Sequence, residues 1–162
     1  MTKNLCRGAV MTRPFNSSIP LMDFYPQMDY TLSMKPHNAV KNTDFPDNVA
    51  WEALENLIQR FRFTQTEGQT LMGDMPHSSY YKGLSQHNVR LNRDQRERIS
   101  YLLGIYKALR ILFTDSEQAM TWINRANALS PFNGKTPREY LMEGSIVRLA
   151  EVRRFLDFWR GY

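Results

Sequence analysis

Residue types with ready chemistry are few in this sequence, and they are scattered. His37, His77 and His87 share no metal-ligand spacing and have no cysteine set beside them. Cys6 is the one cysteine, so no intramolecular disulfide can form. It lies in a proline-rich stretch where nothing would lower its pKa. No glycine-rich phosphate loop and no nucleophile elbow occur. Carboxylates fall singly along helical faces rather than in pairs. These observations weigh against an enzyme and imply neither a metal nor a cofactor.

The spacings that do carry information belong to arginines and short polar side chains. Residues 82–110 hold seven basic groups against two acidic ones, net +5, which equals the formal charge of the whole 162-residue chain. Residues 48–81 are net −2, with two basic against four acidic groups. A local basic stripe fits a polyanion or an acidic partner, and equally a solvated helix face. Just upstream, Thr64-Gln65-Thr66-Glu67 is a capping box opening a short helix. Gly73 stands at its left-handed stop, and Met75-Pro76 makes a turn into a helix over His77–Leu84. Helix, turn and second helix form a helix-turn-helix pattern, whose second helix enters the major groove; an ordinary three-helix packing unit has the same outline. The pattern nominates Thr66, His77, Ser78, Ser79, Tyr80 and Lys82 for contact with bases and phosphates. Arg90, Arg93 and Arg96, on the approach to the next helix, are nominated for phosphates. With Lys82 as its one firm cation, the second helix needs that basic stripe or dimerisation to bind DNA.

These residues must be positioned by helices. Asn92–Phe113 reads as one long helix with Asn92 as cap and Gln95 in the capping-box position. Ile99, Leu102, Leu103, Tyr106, Leu109 and Phe113 share a face, with Arg93, Arg96, Arg98, Lys107 and Arg110 behind. At about 1.5 Å per residue it spans roughly 33 Å and can join two lobes. A helix at 47–62, capped by Asp47 or Asn48, carries the stripe Trp51, Leu54, Leu57, Ile58 and Phe61. Beyond the long helix, Thr114-Asp115-Ser116 caps a helix over Glu117–Arg125. Thr136-Pro137-Arg138-Glu139 starts a short one that stops at Gly144, and Ser145 caps a last helix, Ile146–Arg160. The expected fold is all-α with seven helices: an extended arm at 1–46, a helix-turn-helix domain at 47–90, and a central helix with a small C-terminal lobe at 91–162. Five of the eight prolines lie in the arm and no period persists between them. No apolar run reaches a membrane span and no signal peptide is evident, so a cytoplasmic protein is expected.

The last helix sets an arginine-rich face beside its apolar stripe, followed by Gly161-Tyr162. Arginine and tyrosine are favoured at interfaces. Arg148, Glu151, Arg153, Arg154, Arg160, Gly161 and Tyr162 are therefore the expected partner contacts, while Trp159 is expected to serve the lobe's own core.

Four motifs together, DQRERISYLLGIYKALRILFTD at 94–115, W-I-x-x-x-N at 122–127, FNGKTPREYL at 132–141 and VRRFLDFWRG at 152–161, resemble the Xre/MbcA/ParS-type antitoxin family. TQTEGQTLMGDMPHSSYYKG upstream resembles its helix-turn-helix. The resemblance covers residues 50–162. It implies an antitoxin of a type II toxin–antitoxin system, a homodimer that binds operator DNA and represses its own operon. It also implies that the C-terminal lobe, from about Trp122 to Tyr162, occludes a cognate toxin encoded in the same operon. That toxin is expected to be RES-type, NAD-consuming or ADP-ribosylating. Two positions depart from the family pattern: Ala126 replaces a proline before the loop asparagine, and Lys82-Gly83 replace a tryptophan and an arginine after the tyrosine pair. Two further readings stay open. One is a helix-turn-helix regulator whose C-terminal lobe serves only dimerisation, and the other is an interaction scaffold without DNA binding.

Overall fold

The computed structural model describes residues 45–161; the arm expected at 1–46 lies almost wholly outside them, as does Tyr162. Seven α-helices follow in order: α1 Asp47–Phe61, α2 Gln65–Leu71, α3 His77–Gln86, α4 Arg93–Leu112, α5 Ser116–Thr121, α6 Pro137–Leu141 and α7 Ile146–Trp159. A single 3-10 turn, Trp122–Asn124, continues α5. No strand occurs among the described residues. The architecture is the all-α one expected.

Local chemistry accounts for most of the boundaries. Three capping boxes are complete, at Thr64/Glu67, Asn92/Gln95 and Thr136/Glu139, each satisfying orphan N–H groups at a helix start. Asp115 and Ser145 cap α5 and α7 with single side-chain bonds. The cap expected at Asp47 or Asn48 is displaced: Pro46 holds that position without a side-chain bond. Asp47 instead accepts from the Leu91 N–H and from Arg96. The helix expected to run to Arg125 tightens after Thr121 into the 3-10 turn. There Trp122 and Ile123 bury, Trp122 packing edge-on to Phe132 at 5.9 Å and stacking on Phe155 at 6.2 Å. Core packing overrides helix continuation at that point.

The axle is α4, about 30 Å long, packed against α1 on one side and α7 on another. Two packed sides need more than one stripe. Ile105 and Ala108 are fully buried beside Ile99, Leu102 and Leu109, while Leu103, Tyr106 and Phe113 are only partly covered. Arg98 is a correction to the sequence reading. It is buried rather than part of a basic back, and Asp94 and the carbonyls of Leu71 and Gly144 take its hydrogen bonds. α7 approaches α4 closely at Gly104, where a Cβ would overlap the Arg153 guanidinium.

The core begins at Trp51, fully buried, whose indole N–H donates to the Val89 carbonyl at 2.7 Å. A Cβ on Gly83 would overlap the Trp51 ring, so the glycine that follows Lys82 is what lets α3 sit on α1. In the C-terminal lobe Phe132 fills the centre between Trp122, Tyr140 and Phe155. The loop that delivers it is held by Asn127, buried, whose side chain accepts from Leu129 N–H while its backbone pairs with Lys135 and Gly134.

Candidate DNA and toxin interfaces

The α2–turn–α3 unit starts with α2, fixed at its N-terminus by the Thr64 box. Gly73 (φ 76°) and Asp74 (φ 51°) reverse the chain, and the Gln69 side-chain amide donates to the Met75 carbonyl at 2.6 Å, stiffening the turn. α3 then projects from Pro76. His77, Ser78 and Lys82 are exposed and Ser79 is half-buried.

Tyr80 is a correction. It is fully buried, lies edge-on to Trp51 at 6.4 Å, and points its hydroxyl at Gly68 of α2. Burial pushes that hydroxyl's pKa up, and the group finds no hydrogen-bond partner among the described residues. It holds α3 against α1 and α2 and cannot touch DNA. The exposed member of the pair is Tyr81, 40% exposed, with its ring 4.1 Å from that of His77 one turn earlier. Tyr81 was missing from the sequence-derived set. Spacing alone does not separate the two tyrosines, because His77 and Leu84 each lie three or four positions from both.

The cations nominated for phosphates divide. Arg90 and Arg93 are exposed where the chain enters α4. Arg96 is committed within the chain, to Asp47 at 2.7 Å and to the carbonyls of Phe45 and Leu91. It ties the start of α1 to the start of α4. Thr66 is exposed on the first turn of α2.

The face built by α6 and α7 is a charged network over an aromatic core. Arg148 lies 4.5 Å above the Tyr140 ring, donates to its hydroxyl and to Glu151, and pairs with Glu143 at 2.6 Å. Tyr140 in turn donates to Glu151 at 2.5 Å. Burial first, then the Glu151 carboxylate, pushes the Tyr140 hydroxyl up to about 12. Glu151 holds Arg148 above the ordinary arginine range. Glu143, paired with Lys135 and Arg148, lies below the usual carboxylate range. Farther along α7, Asp157 is buried and accepts from Arg153 at 2.6 Å and Arg160 at 3.0 Å. Of the expected partner contacts, Arg154 and Gly161 are exposed, while Arg148, Glu151, Arg153 and Arg160 are half-buried in ion pairs. Tyr162 lies outside the described residues.

Among the described residues no group of three or more His, Cys, Asp or Glu side chains is arranged to hold a metal, and no helix is long and apolar enough to cross a membrane.

Comparison with known families gives two adjoining matches. Residues 42–104 match the antitoxin Xre-like helix-turn-helix domain, and residues 108–161 match the antitoxin Xre/MbcA/ParS C-terminal toxin-binding domain. The uncharacterized protein y4oB of Sinorhizobium fredii (strain NBRC 101917 / NGR234) is 36% identical over 110 residues, covering 68% of this chain and 83% of that protein. The chain belongs to the Xre/MbcA/ParS antitoxin family. It is an antitoxin of a toxin–antitoxin system, with a helix-turn-helix and a toxin-binding domain, and its partner classes are therefore a toxin and DNA. The family domains are those of a regulatory protein rather than of an enzyme. In the antitoxin the two matched segments meet within α4, so the axle of the core is also the junction between the DNA-binding and toxin-binding parts.

Proposed function

We propose that this antitoxin acts by occlusion: its C-terminal lobe covers a RES-type toxin that consumes NAD or transfers ADP-ribose, encoded in the same operon. The toxin-binding domain match over 108–161 carries the reading, because it coincides with the lobe whose outer face is built from α6 and α7. Arg154, Gly161 and Tyr162 are the contacts proposed to reach the toxin. Arg148, Glu151, Arg153 and Arg160 frame them through ion pairs that fix their geometry. A pre-organised rim costs less side-chain entropy on binding than a set of mobile charges.

The same chain represses its operon as a homodimer on an inverted repeat. His77, Ser78, Ser79, Tyr81 and Lys82 face the groove, with Thr66, Arg90 and Arg93 near phosphates. Binding to two half-sites doubles the few cations of each α3.

Both parts are tested by expressing the antitoxin with the product of the adjacent gene, purifying the pair, and titrating the complex and the free antitoxin against the operon's promoter. Co-purification with a RES-type protein and preference for the promoter over random DNA support the reading. A protein that binds the promoter but captures no toxin reduces the C-terminal lobe to a dimerisation element. One that captures the toxin but ignores the promoter removes operon repression.

A further inference from the structure

Among the contacts between the two matched domains, two arginines grip opposite ends of α2. Arg138, on α6 in the toxin-binding part, donates from Nε and Nη2 to the two oxygens of Glu67 on α2, at 2.7 and 2.5 Å. The rest of its guanidinium is also used: Nη2 donates to the Arg62 carbonyl at 3.0 Å, Nη1 to Asn124 at 3.1 Å, and the group lies 5.1 Å above the Phe63 ring. Glu67 meanwhile accepts from Thr64 N–H at 2.7 Å and so completes the α2 cap. At the other end, buried Arg98 donates to the Leu71 carbonyl that closes α2 and to the Gly144 carbonyl between α6 and α7. α2 is thereby tied to the C-terminal lobe at its first turn and at its last. A bidentate arginine–carboxylate pair fixes angle as well as distance, which a lysine at the same site would not.

α2 passes this placement on to α3. Gly68, next to Glu67, has the Tyr80 hydroxyl seated where a Cβ would stand, so α2 and α3 are in register only at that spacing. We infer that Arg138 is a positioning residue for the recognition helix: through Glu67 and the Gly68–Tyr80 contact, the toxin-binding domain sets the angle at which α3 meets DNA. The inference rests on the reading that α3 binds the operator.

The test uses the full chain and a duplex of its own promoter, with Arg138→Gln, Glu67→Gln, the double variant, Arg138→Lys, and Lys82→Ala as a direct-contact control. Affinity is referred to the active fraction, so that partial unfolding is not counted. Arg138→Gln and Glu67→Gln should each lower promoter affinity about tenfold, the order expected for groups in direct contact, with no change in salt slope. The double variant should be no worse than either single one, and Arg138→Lys should stay low. Lys82→Ala should instead lower the slope by about one. Hydrogen exchange at α2 and α3 amides should quicken in Arg138→Gln while α7 is unchanged. Wild-type promoter affinity in folded Arg138→Gln, or losses that add in the double variant, overturns the inference. If the wild-type chain ignores the promoter, the DNA reading fails on its own. Exchange then decides: unchanged α2 and α3 rates in Arg138→Gln overturn the positioning role.

Discussion

Gly104→Ala separates two opposed effects on the axle helix. In a helix interior, alanine is favoured over glycine by about 0.8–1.0 kcal/mol. Here, however, the new Cβ would overlap the Arg153 guanidinium and stand 3.1 Å from its Cδ, so the side chain must leave its place rather than shift its tip. Arg153 in that place donates to Asp157, whose side chain is 6% exposed. Losing one charge-assisted bond to a buried carboxylate costs about 1.5–3 kcal/mol, and Asp157 keeps its bond to Arg160. The net expectation is a destabilisation of about 0.5–2 kcal/mol, the difference between the two figures. The sign should reverse once the obstacle is gone. In an Arg153→Ala background the same Gly104→Ala change should stabilise by about 0.5–1 kcal/mol, because only the helix preference remains. Urea unfolding of the four proteins in this cycle measures both values. A Gly104→Ala effect of the same sign and size in both backgrounds would refute the claim that Arg153 is wedged over Gly104.

Acid should weaken the α2–α6 tie. Arg138, chiefly, holds the Glu67 carboxyl at about 2 against an ordinary 4.5. A depressed carboxylate stabilises the fold above its unfolded pKa and loses that contribution as pH falls through its folded value. The wild type should therefore exceed Glu67→Gln by about 1–2 kcal/mol at pH 7, allowing for solvent access to the pair, with the gap closing between pH 4.5 and 2; unfolding curves with a pH-invariant gap would contradict this. The tyrosine pair should divide in function. Tyr80→Phe removes a buried hydroxyl that has no hydrogen-bond partner among the described residues, and should be neutral or stabilising by up to about 1 kcal/mol in thermal unfolding. Tyr81→Ala should leave stability within about 0.5 kcal/mol and weaken promoter preference by about 1–3 kcal/mol, the range for a base contact; equal promoter preference in Tyr81→Ala and wild type would remove Tyr81 from the interface. Leu156→Asp, which places a charge at a core position 1% exposed, should abolish cooperative unfolding.

Much of the helical plan was legible because its signals are local. The boxes at Thr64, Asn92 and Thr136 and the left-handed stops at Gly73 and Gly144 involve residues within four positions of one another, and the chain folds accordingly. Signals that needed a distant partner were not legible. Arg96 read as a phosphate contact and Arg98 as part of a basic face because Asp47, 49 residues away, and Gly144, 46 residues away, cannot be paired with them from spacing. The same holds for Arg138, which appeared only as part of a helix start, although its partner Glu67 lies in the other matched domain. At the candidate DNA interface the error was one residue of helix phase. Two adjacent tyrosines are equivalent by type, and what selects Tyr80 for burial is the space left by Gly68 on a neighbouring helix. On α7 the arginine face was legible as arginine-rich, but the buried Asp157 that draws in Arg153 and Arg160 was not.

Growth of cells expressing the adjacent toxin tests the central claim most directly. The comparison is between the full antitoxin, a chain ending after Arg160, and Leu156→Asp. The cut is placed after Arg160 because that residue closes α7 and pairs with Asp157. The intact chain should rescue growth fully. The shortened chain should fold with an unchanged helical spectrum and fail to rescue, and the unfolded variant should give no rescue. A shortened chain that is folded and fully protective would move occlusion from the tail to the Arg148–Glu151–Arg153 face. An intact, folded chain that neither binds the toxin nor restores growth would contradict the account.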